Sequence, residues 1–329
     1  MRTLLVGLLI CGGGFSQQLD FLNNNRPILD AHNCYPYEGK YADRIERALK
    51  QGTPIGIEQD LAWYADPATG KGRVVVSHTA KTTGAEPTLK AHFFERVRPL
   101  MEKALRENKQ ADWPLIVVHF DFKDNRPPLL EAVWALLGEY EPWMSMAVKG
   151  MDPSVLAPID RKPLLVMTED NDAQEQVFFT RVPVGRKLRL FGSAHTTLPN
   201  AKTAAERVHL AATAAPEVLL SEKPSNYRRW WNNSWYEVEE GGQPKAGEWT
   251  ATAAARLKAL VDHAHGQGFW IRFYTLDGFA KEADQGWGNA YNFGSKAAVE
   301  ARWKAVIDAG VNLIASDQYE ELGAFMKGK

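Results

Sequence analysis

Pro54-Ile55-Gly56-Ile57-Glu58-Gln59-Asp60-Leu61 decides the architecture. Ile55, Ile57 and Leu61 alternate with Gly56, Glu58 and Asp60, a period of two that predicts a strand with one apolar face. Residues two apart on a strand point the same way, so Glu58 and Asp60 project together. Just upstream, residues 42–51 put Ile45, Ala48 and Leu49 on one helical face and stop at Gly52. The order helix, glycine stop, buried strand returns at Asp308-Ala309-Gly310, ahead of the run at 311–316.

Working outward, apolar runs occur at 28–33, 54–61, 115–122, 164–168, 188–191, 217–221, 269–275 and 311–316, with a side strand at 73–77. Helical patterns lie between them at 42–51, 93–108, 129–140, 201–214, 250–266 and 295–309. Strand–helix alternation predicts a parallel sheet with helices outside. Eight such units predict an α/β protein built as one closed (β/α)8 TIM-type barrel over residues 17–329. An open doubly wound sheet is the alternative; the chain has no G-x-G-x-x-G or P-loop motif, which weakens its nucleotide-binding forms. Residues 223–247 are polar and aromatic and read as a loop over the barrel mouth.

The 329 residues are 45% hydrophobic, enough for one large core. A formal net charge of −1 with no basic stripe argues against nucleic-acid binding, and nothing implies a protein partner. Arg2, the short apolar run 4–10 and the small residues Gly14 and Ser16 read as a secretory leader over 1–16, placing the mature chain outside the cytoplasm, secreted or periplasmic. Cys11 raises a lipoprotein anchor, but Leu9-Ile10 lacks the small residue expected before it. After cleavage Cys34 is the sole cysteine, so no intrachain disulfide forms.

The chemistry-bearing residues fall at predicted strand ends, where barrels of this type place their sites. His32 and Asn33 end the first run, Glu58 and Asp60 the second, and His78 follows the side strand. Along Leu115-Ile116-Val117-Val118-His119-Phe120-Asp121-Phe122-Lys123, parity puts His119, Asp121 and Lys123 on one face and Ile116, Val118, Phe120 and Phe122 on the other. Arg272 and Tyr274 share a face of the seventh run. Two carboxylates side by side repel each other, and a divalent cation relieves that repulsion; oxygen donors suit Ca²⁺ or Mg²⁺. Asp121 is a candidate third carboxylate and Lys123 a candidate phosphate contact. His32 and His78, titrating near neutrality, suit proton transfer in either direction. His195 has a candidate place at the mouth. Trp230, Trp231, Trp235 and Tyr236 read as a packed lid, or as aromatics that stack on a sugar ring or contact a membrane surface peripherally.

His32-Asn33, Glu58-x-Asp60, His78 and Asp121-Phe122-Lys123 together resemble the superfamily of PLC-like phosphodiesterases. That group includes glycerophosphodiester phosphodiesterases and phosphatidylinositol-specific phospholipases C. The similarity runs in outline over 28–317 and is specific over 28–78. Arg272-Phe273-Tyr274 looks like the R-x-Y strand of the calcium-dependent phospholipases C, and Ile314-Ala315-Ser316-Asp317 like the superfamily's final strand. His32-Asn33-Cys34 stands where glycerophosphodiesterases usually carry His-Arg-Gly, and His78-Thr79 where they carry His-Asp. His32-Asn33-x-Tyr35 is also similar to the altered-inheritance-of-mitochondria-6-like branch. The resemblance implies a Ca²⁺ or Mg²⁺ ion held by Asn33, Glu58, Asp60 and Asp121, with His32 and His78 as acid and base. It implies Lys123, Arg272 and Tyr274 as contacts to a small-molecule or lipid-headgroup phosphodiester, cleaved by hydrolysis or through a cyclic phosphate. A barrel glycoside hydrolase is the enzymatic alternative, disfavoured because its two carboxylates flank a sugar bond at about 5 Å or more and histidines have no part in it. A non-catalytic binding barrel is the other.

Overall fold

The computed structural model describes residues 18–37, 39–280, 282–283 and 289–328. The expected leader over 1–16, with Cys11, lies outside the described residues.

Eight parallel strands close into a barrel: β1 (Ile28–Ala31), β2 (Ile55–Ala65), β3 (Ile116–Phe122), β4 (Leu164–Thr168), β5 (Phe191–Ser193), β6 (Arg228–Ser234), β7 (Trp270–Tyr274) and β8 (Leu313–Ser316). Closure is made by β1, which pairs with β2 at Asp30↔Gly56 and with β8 at Ile28↔Leu313. Helices lie outside, and the long ones begin where the sequence offers caps. Thr203, Thr250 and Ser295 each accept a hydrogen bond from the backbone N–H three residues on. The helix Lys296–Ala309 ends at Gly310, whose φ of +85° is the left-handed cap that glycine takes without strain.

Strand parity sorts the core into layers. Outward-facing Ile116, Val118, Phe120 and Phe122 of β3 join Leu129, Leu130, Val133 and Leu137 of the helix Pro127–Glu139 in the main core. Inward-facing Ile28, Leu115, Val117, Leu165, Met167, Phe191, Trp230, Trp270 and Leu313 fill the lower barrel. Leu22 closes it from below, where Gln18 Nε2 donates to the Gly268 carbonyl at 2.7 Å. Ala147 and Ile159, from an antiparallel sheet of Met146–Val148, Ile159–Asp160 and Lys187–Leu188, pack on the same layer.

Two strands differ from the sequence reading. Leu188 belongs to that antiparallel sheet, and the fifth barrel strand begins at Phe191. The expected sixth strand at 217–221 is instead a short helix, Pro216–Leu219, and the true one, β6, lies within the segment read as a loop. Pro216 at the first helical position pre-sets a helical φ. The polar residues that disguise β6 find partners inside the protein, although Asn233 Oδ1 is left without one. Arg229 donates to Gln18 Oε1 at 2.8 Å and to the Ala157 carbonyl at 2.8 Å. Trp230, Trp231 and Trp235 are fully buried, so they are core and neither a lid nor a membrane-contacting surface.

Candidate active site

A cavity of about 410 Å³ opens at the C-terminal ends of the strands. All nine residues to which the resemblance assigns a role line it: His32, Asn33, Glu58, Asp60, His78, Asp121, Lys123, Arg272 and Tyr274. They sit on or directly after β1, β2, β3 and β7, or in the segment after the side strand Gly72–Val76. That strand pairs antiparallel with the far half of β2, and the Ser77 N–H donates to the Asp60 carbonyl at 3.0 Å. The hairpin thereby delivers His78 to Asp60, with Nδ1 2.9 Å from Oδ2.

His32 sits between two acids. Its Nδ1 is 2.9 Å from Asp317 Oδ1 and its Nε2 3.3 Å from Glu58 Oε2. Thr275 Oγ1 lies 3.0 Å from Nε2, and the Tyr274 ring is nearly parallel to the imidazole at 6.5 Å. Burial alone pushes this imidazole down, but the carboxylates of Glu58 and Asp317 outweigh it and hold its pKa up at about 9. Asn33 adopts a left-handed φ of +50°, a conformation asparagine tolerates. This turns its N–H onto Glu58 Oε2 at 2.8 Å. Its Nδ2 donates to Asp317, and its Oδ1 lies 2.6 Å from the Tyr35 hydroxyl, which is as close to Asp60 Oδ2.

The three carboxylates Glu58, Asp60 and Asp121 each present an oxygen within 4.8 Å of the others. Glu58 would be raised by burial, yet His32, Arg272 and His119 hold it well below the usual carboxylate range. Asp121, more open, is pushed up to about 6 by burial and by Asp60, against the pull of Lys123. The Lys123 ammonium is 2.7 Å from both Asp60 Oδ2 and Asp121 Oδ2. Arg272 is only 1% exposed; it donates from Nε to Asp30, from Nη1 to Asn232 Oδ1 at 3.0 Å and from Nη2 to Glu58 Oε1 at 3.3 Å. Its guanidinium therefore braces the site from behind. Gly56 makes this packing feasible, because a Cβ there would lie 2.4 Å from Asp30 Oδ1.

Glu169, Asn232, Thr275 and Tyr291 also line the cavity and were not singled out in the sequence. Glu169 follows β4 directly. Its Oε1 is 2.6 Å from His119 Nε2, although neither ring nitrogen of His119 meets hydrogen-bond angles, and it accepts from Asn232 Nδ2 at 3.1 Å. Burial would lower the buried His119, but Glu169 carries it up to about 9. Its ring lies below the cavity lining, edge-on to Trp230 at 4.9 Å. Asp317, behind His32, and Asp30, behind Arg272, are further acids left unassigned above. His195 stands elsewhere: its Nδ1 is 2.5 Å from Asp170 Oδ1, in a cluster with Arg228.

No family profile and no curated protein matches this chain. Among solved structures it is similar to a glycerophosphoryl diester phosphodiesterase from Parabacteroides distasonis ATCC 8503, at 12% identity and a TM-score of 0.40 over 95% of this chain and 90% of that one. A glycerophosphodiester phosphodiesterase from the same organism matches at 11% and 0.44, over 92% and 98%. A triple mutant of the HPPK-DHPS of Plasmodium falciparum with pteroate matches at 9% and 0.46, over 93% of this chain and 48% of that one. Likenesses this distant carry no argument: the fold stands on its strand pairing and the site on its own geometry.

Proposed function

We propose that the chain is a metal-dependent phosphodiesterase that cleaves a glycerophosphodiester or a phospholipid-headgroup phosphodiester. One observation carries the reading: two imidazoles and three carboxylates, from segments far apart in the chain, converge on a single cavity. The donors are all oxygen, a set that fits Ca²⁺ or Mg²⁺. Glu58, Asp60 and Asp121 would hold the ion, with Asn33 beside them. When bound, such a cation neutralises charge building on the non-bridging oxygens and acidifies an attacking hydroxyl.

The chain's own residues supply the rest. Asp317 orients His32 through Nδ1 and leaves Nε2 toward Glu58 and Thr275. Asp60 orients His78, whose side chain is 44% exposed and open to the cavity. One imidazole thus stands against Glu58 and the other against Asp60, one to take a proton from the nucleophile and one to give a proton to the leaving alkoxide, each worth roughly 10²–10⁴-fold in rate. Arg272 fixes Glu58, and Tyr274 and Lys123 border the space left for the phosphate. A cavity of about 410 Å³ fits a compact headgroup.

Hydrolysis of bis-p-nitrophenyl phosphate, with and without added Ca²⁺ or Mg²⁺, tests this. The expected result is cation-dependent release that His32→Ala or His78→Ala reduces. p-Nitrophenolate leaves without protonation, so the variant lacking the base loses roughly 10²–10⁴-fold while the variant lacking the acid loses far less. Cation-independent turnover, or full activity in both variants, would contradict the proposal. We also infer export from the leader-like start; N-terminal sequencing of the mature protein should begin at Gln17.

A further inference from the structure

We propose that Lys123 is a built-in competitor for the cation: its ammonium is stored between two of the metal-binding carboxylates and displaced toward the cavity when the ion binds. This rests on the cation-binding part of the functional reading.

The Lys123 ammonium sits 2.7 Å from Asp60 Oδ2 and 2.7 Å from Asp121 Oδ2, and so occupies the space between two members of the carboxylate triad. A cation bridging the same acids needs contacts of about 2.0–2.6 Å to their oxygens. Two positive charges drawn to the same lone pairs exclude each other, so one must leave. Among the described residues, Arg272 is the other lysine or arginine lining the cavity, and it cannot yield, being 1% exposed and bonded to Asp30, Glu58 and Asn232. Lys123 can. It lies at the cavity rim with its side chain 19% exposed, on a flexible four-carbon stem. Asp60 does not depend on it for position, because Oδ2 also has the Tyr35 hydroxyl at 2.6 Å and His78 Nδ1 at 2.9 Å. The lysine therefore acts as a counter-ion that keeps the cation-free acids from repelling one another, and its release accompanies loading of the site.

Calorimetric titration of Ca²⁺ and of Mg²⁺ into wild type, Lys123→Gln and Lys123→Arg tests this. Lys123→Gln should bind about 10- to 100-fold more tightly than wild type, and Lys123→Arg, which keeps the charge, should not. Equal affinity in Lys123→Gln and wild type overturns the competition and leaves the cation site standing. Absence of binding in both overturns the competition and the cation-dependent reading together. Binding by Lys123→Gln alone supports the competition and ends the cation-dependent reading of the wild-type chain. A second measurement needs no variant: acetylation of Lys123 by acetic anhydride, followed by peptide mass, should speed up at least about threefold at saturating cation, as the released population grows. An unchanged or slower rate overturns the proposal.

Discussion

The lower and upper halves of the barrel interior are built from the same eight strands and obey opposite rules. On β1 the inward side chain changes from Ile28 to Asp30, on β3 from Val117 to His119, on β6 from Trp230 to Asn232 and on β7 from Trp270 to Arg272. The switch occurs within one two-residue step on each of these four strands. Below it the layer is apolar and closed by Leu22; above it Asp30, Glu58, Asp60, His119 and Arg272 are all buried and charged or chargeable. Desolvating ionic groups is costly, and a close-packed apolar layer serves stability as well or better. The lower half therefore holds the fold together, and the upper half is explained by chemistry.

The largest expected effect breaks the upper half directly. Arg272→Met leaves Asp30 and Glu58 buried without their cation and should cost about 3–5 kcal/mol in urea unfolding. The double replacement Asp30→Leu with Arg272→Met should recover most of that loss, yet stay inactive. Were the double variant as unstable as the single, the ionic layer would be holding the fold together after all. In the lower half, Trp270→Ala should cost a similar 3–5 kcal/mol, with no side-chain partner whose removal restores it, because its indole N–H donates to the Gln18 backbone carbonyl at 2.7 Å.

Titration sharpens the comparison. His92, buried beside the Cys34 carbonyl with no carboxylate among the groups that shift it, is pushed down to about 4 by burial and by Arg96. Between pH 6.5 and 4 the unfolded chain binds more protons than the folded one, so this contribution is lost as pH falls, up to about 3 kcal/mol. His92→Phe should flatten that acid limb. His32 and His119 shift the other way, to about 9. Their contribution is complete below pH 6.5 and is lost as pH rises through 9. Unfolding of the EDTA-treated wild type across pH 6.5–9 should show that loss; a flat profile would mean the surrounding acids do not hold these imidazoles protonated.

Smaller effects follow. Gly56→Ala drives a methyl into Asp30 and should cost about 1–3 kcal/mol, with weaker cation binding because Glu58 moves with its neighbours. On the outer surface, Asp262→Ala removes an exposed i,i+4 pair with Lys258 and should change stability by less than about 0.5 kcal/mol.

The same division explains what the sequence made legible. Strand parity placed His119, Asp121 and Lys123 inward because β3 is buried on both faces and its apolar residues must meet the helices. The position of β6 was hidden because Arg228, Arg229, Asn232 and Asn233 look like a solvated loop until their buried partners are known. Asn232 was lost with it. Glu169 was findable, since it directly follows a strand placed at Leu164–Thr168 in a fold that puts its chemistry at strand ends. The misplaced strand at 217–221 had its own warning in Pro216. No local pattern marks Asp317 as the partner of His32, because that contact spans nearly the whole chain.

Anomalous diffraction from crystals soaked in Mn²⁺, an oxygen-loving stand-in for Mg²⁺, tests the central claim most directly. The expected result is one strong peak about 2.0–2.6 Å from oxygens of Glu58, Asp60 and Asp121, with the Lys123 ammonium moved out of the triad. Density elsewhere, or none at a cation concentration that supports turnover, would contradict it.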